Sequence, residues 1–380
     1  MQRKTSIFVI AGGIAVAITI IIIAAATVAG TGSFVADAPA GQVQRQGPAA
    51  TATGNFIVPP EKIVSGGPPR DGIPSIDSPK FTSASGAGLE DGDLVIGLAI
   101  EGDAKAYPLK ILVWHEIVND VVGGEPVAVT YCPLCFTSQV FKRTLSGDES
   151  SAAAEFGTSG KLYNSNLVMY DRSTESLWSQ ALGQAIAGER AGERLERVPF
   201  DLAQWGDWKR LYPQSRVLSQ DTGFDRPYGS DPYGNYYTSP EIYFPVENRD
   251  GRLGPKEVVV GFESNGVYRA YPLQKIENEH VINDSIGSSD GDRLSVLLVS
   301  QYPFMTRAFD RELDGGGWQQ VLKFDYKDGK VTDRQTASTW DVEGVATDGP
   351  MKGAKLKRLP FDIGFWFEWA AFHPGTELFR

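Results

Sequence analysis

The 380-residue sequence has few residues that could carry redox or metal chemistry, since it contains only two cysteines and three histidines. A closed structural zinc site needs about four protein ligands, and no second cysteine pair accompanies Cys132 and Cys135. Acidic residues outnumber basic ones, and the formal net charge is -11. Nucleic-acid binding requires a basic face, so this composition argues against it.

The N-terminal segment lacks acidic residues until Asp37, and residues 7–30 are uncharged and rich in Ile, Val and Ala. This stretch fits a membrane-spanning helix of about 20 residues better than the shorter apolar core of a signal peptide. Arg3 and Lys4 should remain cytoplasmic. We therefore expect residues 1–30 to form a signal anchor in the cytoplasmic membrane. The rest of this single-pass protein is then extracytoplasmic, or secreted if the segment is cleaved.

Residues 31–80 consist mainly of Ala, Gly, Pro, Ser and Thr, with few large apolar side chains. Such a composition is typical of a flexible linker. Most of the aromatic residues follow it, and they provide enough apolar material for one or two packed cores.

An internal repeat organises the remaining sequence. Residues 106–109 and 270–273 both read Ala-Tyr-Pro-Leu, and a Pro-Phe-Asp motif followed by two tryptophans closes each copy. We therefore predict an α+β protein with two homologous, mainly β copies in tandem, behind the transmembrane helix. Each copy is expected to end in an amphipathic helix, with Asp201 as the N-cap in copy one. Copy one covers residues 81–225, a linker covers 226–254, and a degenerate copy two covers 255–380.

The two copies differ at the residues that could carry chemistry. Aligning them places Cys132 and Cys135 opposite Tyr302 and Met305. The sequence Trp-His-Glu-Ile at residues 114–117 has Asn-Glu-His-Val as its counterpart in copy two. Copy one is therefore predicted to perform the chemistry, whereas copy two is expected to serve as a scaffold or lid.

The two cysteines follow an apolar run, residues 127–131, that reads as a buried strand. A Cys-x-x-Cys pair of this kind is typical of a redox dithiol, in which Cys132 attacks and Cys135 resolves. The same layout begins a glutaredoxin, where a helix follows the first cysteine. Here the residues after the cysteines, such as 139–143, read as strands instead, which argues against that fold. His115 and Glu116 precede the buried strand and could tune protonation at the thiols. This reading requires no cofactor, and it leaves the redox partner or small substrate open.

Two other functions remain open from the residues alone. Cys132, Cys135 and His115 together could hold copper or zinc, which makes a metal-binding protein the first alternative. A surface binding or scaffold module without catalysis, with a permanent disulfide, is the second.

The polar stretch 157–166 has no clear counterpart in copy two. We expect this stretch to line the cysteine pocket and to bind substrate through Tyr163, Asn164 and Asn166. Tyr131, which precedes Cys132, is expected to bind substrate as well.

Several motifs of copy one together resemble the DUF3179 family, a domain of unknown function. They agree in order and spacing, and copy two carries them in degraded form: residues 106–109, 114–120, 131–135, 162–167 and 169–172. Members of this family are described as (seleno)proteins, with selenocysteine replacing one cysteine of the motif. The resemblance therefore implies redox chemistry at Cys132 and Cys135. Phe136 departs from the pattern, because a small residue is expected there.

Overall fold

The computed structural model describes residues 55–145, 153–288, 293–315 and 318–380. The described residues belong to one compact unit that contains both copies. The predicted anchor and residues 31–54 of the predicted linker lie outside these ranges. Within the described ranges, no helix has both the length and the apolar character needed to cross a membrane.

The architecture is mainly β, with few and short helices. The first half contains thirteen strands and two helices in the described ranges: β1 (Ile63–Ser65), β2 (Phe81–Ser83), β3 (Leu94–Ile100), β4 (Asp103–Pro108), α1 (Leu109–Leu112), β5 (Ile117–Val122), β6 (Glu125–Cys132), β7 (Thr137–Lys142), β8 (Phe156–Tyr163), β9 (Asn166–Asp171), β10 (Leu177–Ser179), β11 (Gln184–Ala187), β12 (Asp201–Gln204), α2 (Trp205–Leu211) and β13 (Arg216–Leu218).

The second half contains fourteen further strands and two helices in the same described ranges: β14 (Val258–Ser264), β15 (Val267–Pro272), α3 (Leu273–Glu279), β16 (Val281–Ile286), β17 (Leu294–Tyr302), β18 (Met305–Asp310), β19 (Glu312–Gly315), β20 (Trp318–Val321), β21 (Phe324–Lys327), β22 (Lys330–Asp333), β23 (Thr339–Trp340), β24 (Ala346–Asp348), β25 (Arg358–Leu359), β26 (Asp362–Phe365), α4 (Trp366–Phe372) and β27 (Glu377–Leu378).

The same polar contacts recur in both halves. The Tyr107 hydroxyl donates to Asp120 at 2.6 Å, and the Tyr271 hydroxyl donates to Asp284 at 2.6 Å. The indole of Trp178 donates to Asp171 at 2.9 Å, and residues 340 and 333 repeat this contact at 3.0 Å. Buried polar groups need such partners. In both halves, these aspartates therefore fix the orientation of a tyrosine or tryptophan ring.

The two copies share one sheet, whereas the other sheets of the described ranges contain strands of one copy only. A seven-stranded sheet has the order β27-β15-β14-β26-β7-β6-β5, so strands of copy two continue into strands of copy one. The join is made where Ile363 pairs with Ser138. The copies are also joined by side chains, since Asp201 of copy one accepts hydrogen bonds from Arg307 and Arg358 of copy two. Consequently, each copy completes the structure of the other.

Residues 55–80, which we expected to belong to a flexible linker, are packed against copy one. Backbone hydrogen bonds join Ile76 to Ile117 and Asn119, and strand β1 pairs with β8. The segment has few apolar side chains, but it satisfies its backbone groups by lying along strand edges. The composition was therefore a poor guide to its structure.

The predicted ends of the copies also need correction. The last helix of each copy is followed by a short strand: β13 follows α2 and pairs in parallel with β4, and β27 follows α4 and pairs in parallel with β15. Asp201 does not cap the helix, because it begins β12 and its carboxylate is held by arginines. Helix α2 starts at Trp205, and its N-cap Gln204 makes no capping side-chain hydrogen bond.

Candidate functional site

Cys132 and Cys135 lie in the turn of the β6–β7 hairpin. The amide of Cys135 donates to the Cys132 carbonyl at 3.2 Å, with Pro133 at the second position of this β-turn. Both are free thiols and both are buried, and their side chains are within hydrogen-bonding reach of each other. A strand, β7, follows the turn, as the sequence predicts, so the similarity to glutaredoxin is limited to the cysteine motif.

The cysteine turn is longer than its counterpart in copy two. The equivalent pairs Tyr131 with Ser138 and Ser300 with Thr306 enclose six residues in copy one and five in copy two, where the register shifts between Ser300 and Tyr302. The register therefore matches Met305 with Thr137, which corrects the sequence alignment that placed Met305 opposite Cys135. Copy one carries one additional residue in this turn.

The β8–β9 hairpin brings a second turn against Cys135. Asn164 and Ser165 form the two-residue tip and adopt φ values of 48° and 65°, as a hairpin turn of this length requires. The Cys135 thiol donates to the Ser165 carbonyl at 3.1 Å. Asn166 also hydrogen-bonds to the Cys135 side chain, and its amide donates to Gln180 at 2.9 Å. This polar stretch therefore does contact the dithiol.

Not all of the predicted substrate-binding residues of this hairpin reach the cysteines. The Asn164 side chain accepts a hydrogen bond from the Glu247 amide at 3.0 Å. The Tyr163 ring packs edge-on against Phe372, with 5.3 Å between ring centroids. These two residues hold neighbouring segments of the chain, whereas Asn166 lies at the thiol.

Copy two supplies a carboxyl group to the cysteine turn. The Phe365 amide donates to the Cys135 carbonyl at 2.8 Å, and Glu368 on α4 hydrogen-bonds to Thr137. Burial, with a smaller contribution from Asp362, raises the pKa of Glu368 well above its usual value. Burial, then Cys132 and Glu368, likewise raise the pKa of Cys135. The Cys135 thiol therefore holds its proton at neutral pH, and burial favours the neutral form of Glu368.

A tyrosine-rich segment covers the dithiol. It belongs to residues 226–254, which we expected to be only a linker, and it includes a short 3-10 helix, Gly234–Thr238. The Tyr236 hydroxyl donates to the Leu134 carbonyl at 2.9 Å. Tyr237 hydrogen-bonds to Tyr131, whose side chain is only 2 % exposed. The clustering of tyrosines between residues 228 and 243 was the sequence pattern that could have revealed this cover.

His115 does not contact the thiols. Its Nδ1 lies 2.7 Å from the Pro74 carbonyl, and its Nε2 lies 2.6 Å from the Tyr228 hydroxyl. Burial lowers the pKa of this imidazole below its usual value. His115 therefore ties two loop segments to copy one. Within the described ranges, no group of three His, Cys, Asp or Glu side chains is arranged to hold a metal ion.

Glu116 is a buried carboxyl in a left-handed backbone conformation, with φ of 59°. His280, its counterpart in copy two, has φ of 60°, so this conformation belongs to the shared fold. Burial raises the pKa of Glu116 to about 8. Tyr233 lies within electrostatic range of both Glu116 and Cys132. Glu116 is thus near the tyrosine cover and is neutral over most of the physiological pH range.

Taken together, the fold and the cysteine turn define a mainly β protein with a buried dithiol. The sequence matches the DUF3179 family, described as "Protein of unknown function", over residues 70–376. The chain belongs to this family, as the sequence motifs indicated. No curated protein and no solved structure matches it.

Proposed function

We propose that this protein is a thiol redox protein in which Cys132 and Cys135 exchange two electrons with a substrate disulfide or an equivalent small oxidant. The observation that carries the proposal is the β-turn that brings the two free thiols within hydrogen-bonding reach. The first and last Cα atoms of a β-turn lie within about 7 Å, which is compatible with a disulfide after slight adjustment.

The surroundings support Cys132 as the attacking thiol. Cys135 donates its hydrogen to Ser165, and burial raises its pKa, so it is suited to act second. Cys132 attacks one sulfur of the substrate disulfide, and the other sulfur leaves as a thiolate that takes up a proton. Cys135 then loses its proton and attacks Cys132, which releases the second substrate thiol. Two protein thiols are oxidised and one disulfide is reduced.

The buried position of both thiols restricts what can react with them. Tyr236 and its neighbours cover the turn, so a protein disulfide can reach Cys132 only if this segment moves. A small oxidant needs less displacement. Glu116 was expected from the sequence to tune protonation of the thiols. Glu368 is the carboxyl group beside the dithiol, whereas Glu116 lies nearer to Tyr233, so we assign this role to Glu368.

The test is to equilibrate the full-length protein in thiol–disulfide redox buffers, to trap free thiols by alkylation and to weigh the product. We expect a single two-electron transition with a loss of two hydrogens. Cys132→Ser and Cys135→Ser should each abolish it, whereas Ser138→Ala, a buried neighbour in β7, should preserve it. A bridge that never forms, or one that is reduced only after the protein unfolds, would overturn the proposal.

Residues 1–30 complete the proposal as a membrane anchor that keeps the redox unit extracytoplasmic. The support is the uncharged stretch 7–30 behind Arg3 and Lys4. Membrane fractions washed with alkaline carbonate should retain the full-length protein, and external protease should digest residues 55–380 in intact spheroplasts. Recovery in the soluble cytoplasmic fraction would contradict this placement.

A further inference from the structure

A pocket of about 590 Å³ lies beside the cysteine turn. Tyr131, directly before Cys132, and Phe136, directly after Cys135, form part of its wall. Tyr228 and Tyr237 from the tyrosine-rich segment contribute two more rings. The pocket is therefore aromatic on the side that faces the dithiol.

The polar part of the wall is acidic. Glu90, Asp93 and Asp231 line the pocket, and Lys110 is the one cationic side chain among its described lining residues. Lys110 is already paired with Asp93 at 2.7 Å. Three carboxylates against one ammonium leave a formal charge of -2 on the lining. An anionic ligand would therefore be repelled.

Copy two contains a pocket at the corresponding place, and it serves as an internal comparison. The strand registers match Leu94 with Val258, and the phenylalanines of the two turns, residues 136 and 304, correspond. This second pocket has about 280 Å³, and Phe304 is its one aromatic side chain among the described lining residues. Its lining has two carboxylates, Glu257 and Glu277, which accept hydrogen bonds from the amides of Gly254 and Phe304 at 2.8 Å and 2.7 Å.

The comparison separates what the fold requires from what copy one has added. Both copies form a depression between the first strand, the following helix and the turn. Only the larger pocket also receives residues from the 228–237 segment, and the register places Ser300 where copy one has Tyr131. Three of the four rings are therefore not demanded by the shared architecture, since only Phe136 has an aromatic counterpart, Phe304. A carboxylate excess of two is common to both linings, so the rings are what distinguish the pocket of copy one.

We propose that this pocket binds a small organic cation, namely an amine or quaternary ammonium group attached to an apolar body. Aromatic faces attract such cations through their quadrupoles, and the carboxylates supply the complementary charge. The apolar body of the ligand would lie against Phe136 and Leu109, which also line the pocket. This binding depends on the pocket alone and does not require the dithiol to be redox-active.

The experiment is isothermal titration calorimetry of the full-length protein with benzyltrimethylammonium, with benzyl alcohol and benzoate as neutral and anionic probes. We expect saturable one-to-one binding of the cation, weakened by salt, and at least 10-fold weaker binding of the other two. Glu90→Gln combined with Asp231→Asn should weaken cation binding by about 10-fold or more. Glu277→Gln in the pocket of copy two should leave it unchanged.

Two further variants keep the result interpretable. Tyr237→Phe retains a ring and should bind the cation within a few-fold of wild type, whereas Tyr237→Ala should lose most of the affinity. The double variant Cys132→Ser, Cys135→Ser should bind as wild type, which separates this proposal from the redox function. Equal binding of cation and benzoate, or no saturation by the cation up to about 10 mM, would overturn the proposal.

Discussion

Glu116→Gln provides a direct test of how the site is built. The pKa of Glu116 rises from 4.5 to about 8 because the carboxyl is buried, and only 7 % of its surface is exposed. The folded state therefore holds this proton more tightly than the unfolded state. Its contribution to stability is fully present below about pH 4.5, declines as the pH rises, and is lost above about pH 8.

The size of the effect follows from the shift. A change of about 3.5 pKa units corresponds to at most about 5 kcal/mol, since each unit is worth 1.36 kcal/mol. Glutamine has nearly the same shape and cannot ionise, so the variant should escape this loss. Near pH 4 the two proteins should differ by about 1 kcal/mol or less, as expected for exchange of one neutral polar group for another.

Thermal unfolding of the full-length protein, followed by circular dichroism between pH 4 and pH 9, measures this difference. Relative to wild type, we expect the Tm of Glu116→Gln to gain roughly 5–10 °C between these limits. Glu279→Gln, which removes an exposed carboxylate paired with Lys275, should show no such trend. A Tm difference for Glu116→Gln that is constant with pH would refute the reasoning, because the carboxyl would then be ionised in the folded protein.

Three other perturbations test the packing around this site. Gly97→Ala would place a Cβ atom 2.4 Å from Trp208, and Gly261→Ala would place one 2.2 Å from Trp369. Each substitution should lower the free energy of unfolding by about 1–3 kcal/mol or more. Gly251→Ala should not, because no atom lies near the Cβ position of Gly251. Asp201→Asn should lower the free energy of unfolding, measured by denaturant titration, by about 3–5 kcal/mol because Arg307 stays buried without its charged partner. Asp325→Asn, which breaks an exposed ion pair with Arg334, should lower it by less than about 1 kcal/mol. Tyr236→Ala should speed thiol alkylation of the native protein about 10-fold by removing its bond to Leu134; an unchanged rate would mean that Tyr236 does not control access.

Much of the fold could be predicted from the sequence because repeated motifs mark repeated contacts. The pairs Asp171 with Trp178 and Asp333 with Trp340 stand seven residues apart in both copies and bond in the same way. The sharing of one sheet by the two copies could not be predicted. Whether β26 pairs with a strand of its own copy or also with β7 depends on long-range packing, which the apolar pattern of a strand does not specify.

The candidate site was predicted in part. The cysteine turn and the contact of Asn166 with it follow from the comparison of the two copies, because both features are specific to copy one. His115 was placed beside the cysteines since it is close to them in sequence. The left-handed conformation of Glu116 redirects the chain there, and the imidazole instead faces Pro74 and Tyr228.

The expectation that copy two acts only as a scaffold or lid has to change for the same structural reason. Because β26 lies against β7, α4 begins beside the cysteine turn, and Phe365 and Glu368 contact residues of copy one. Glu368 contributes to the raised pKa of Cys135 from more than 200 residues away in sequence. The pKa of a thiol in one copy is thus raised in part by a carboxyl group of the other, so the role of copy two extends beyond that of a scaffold.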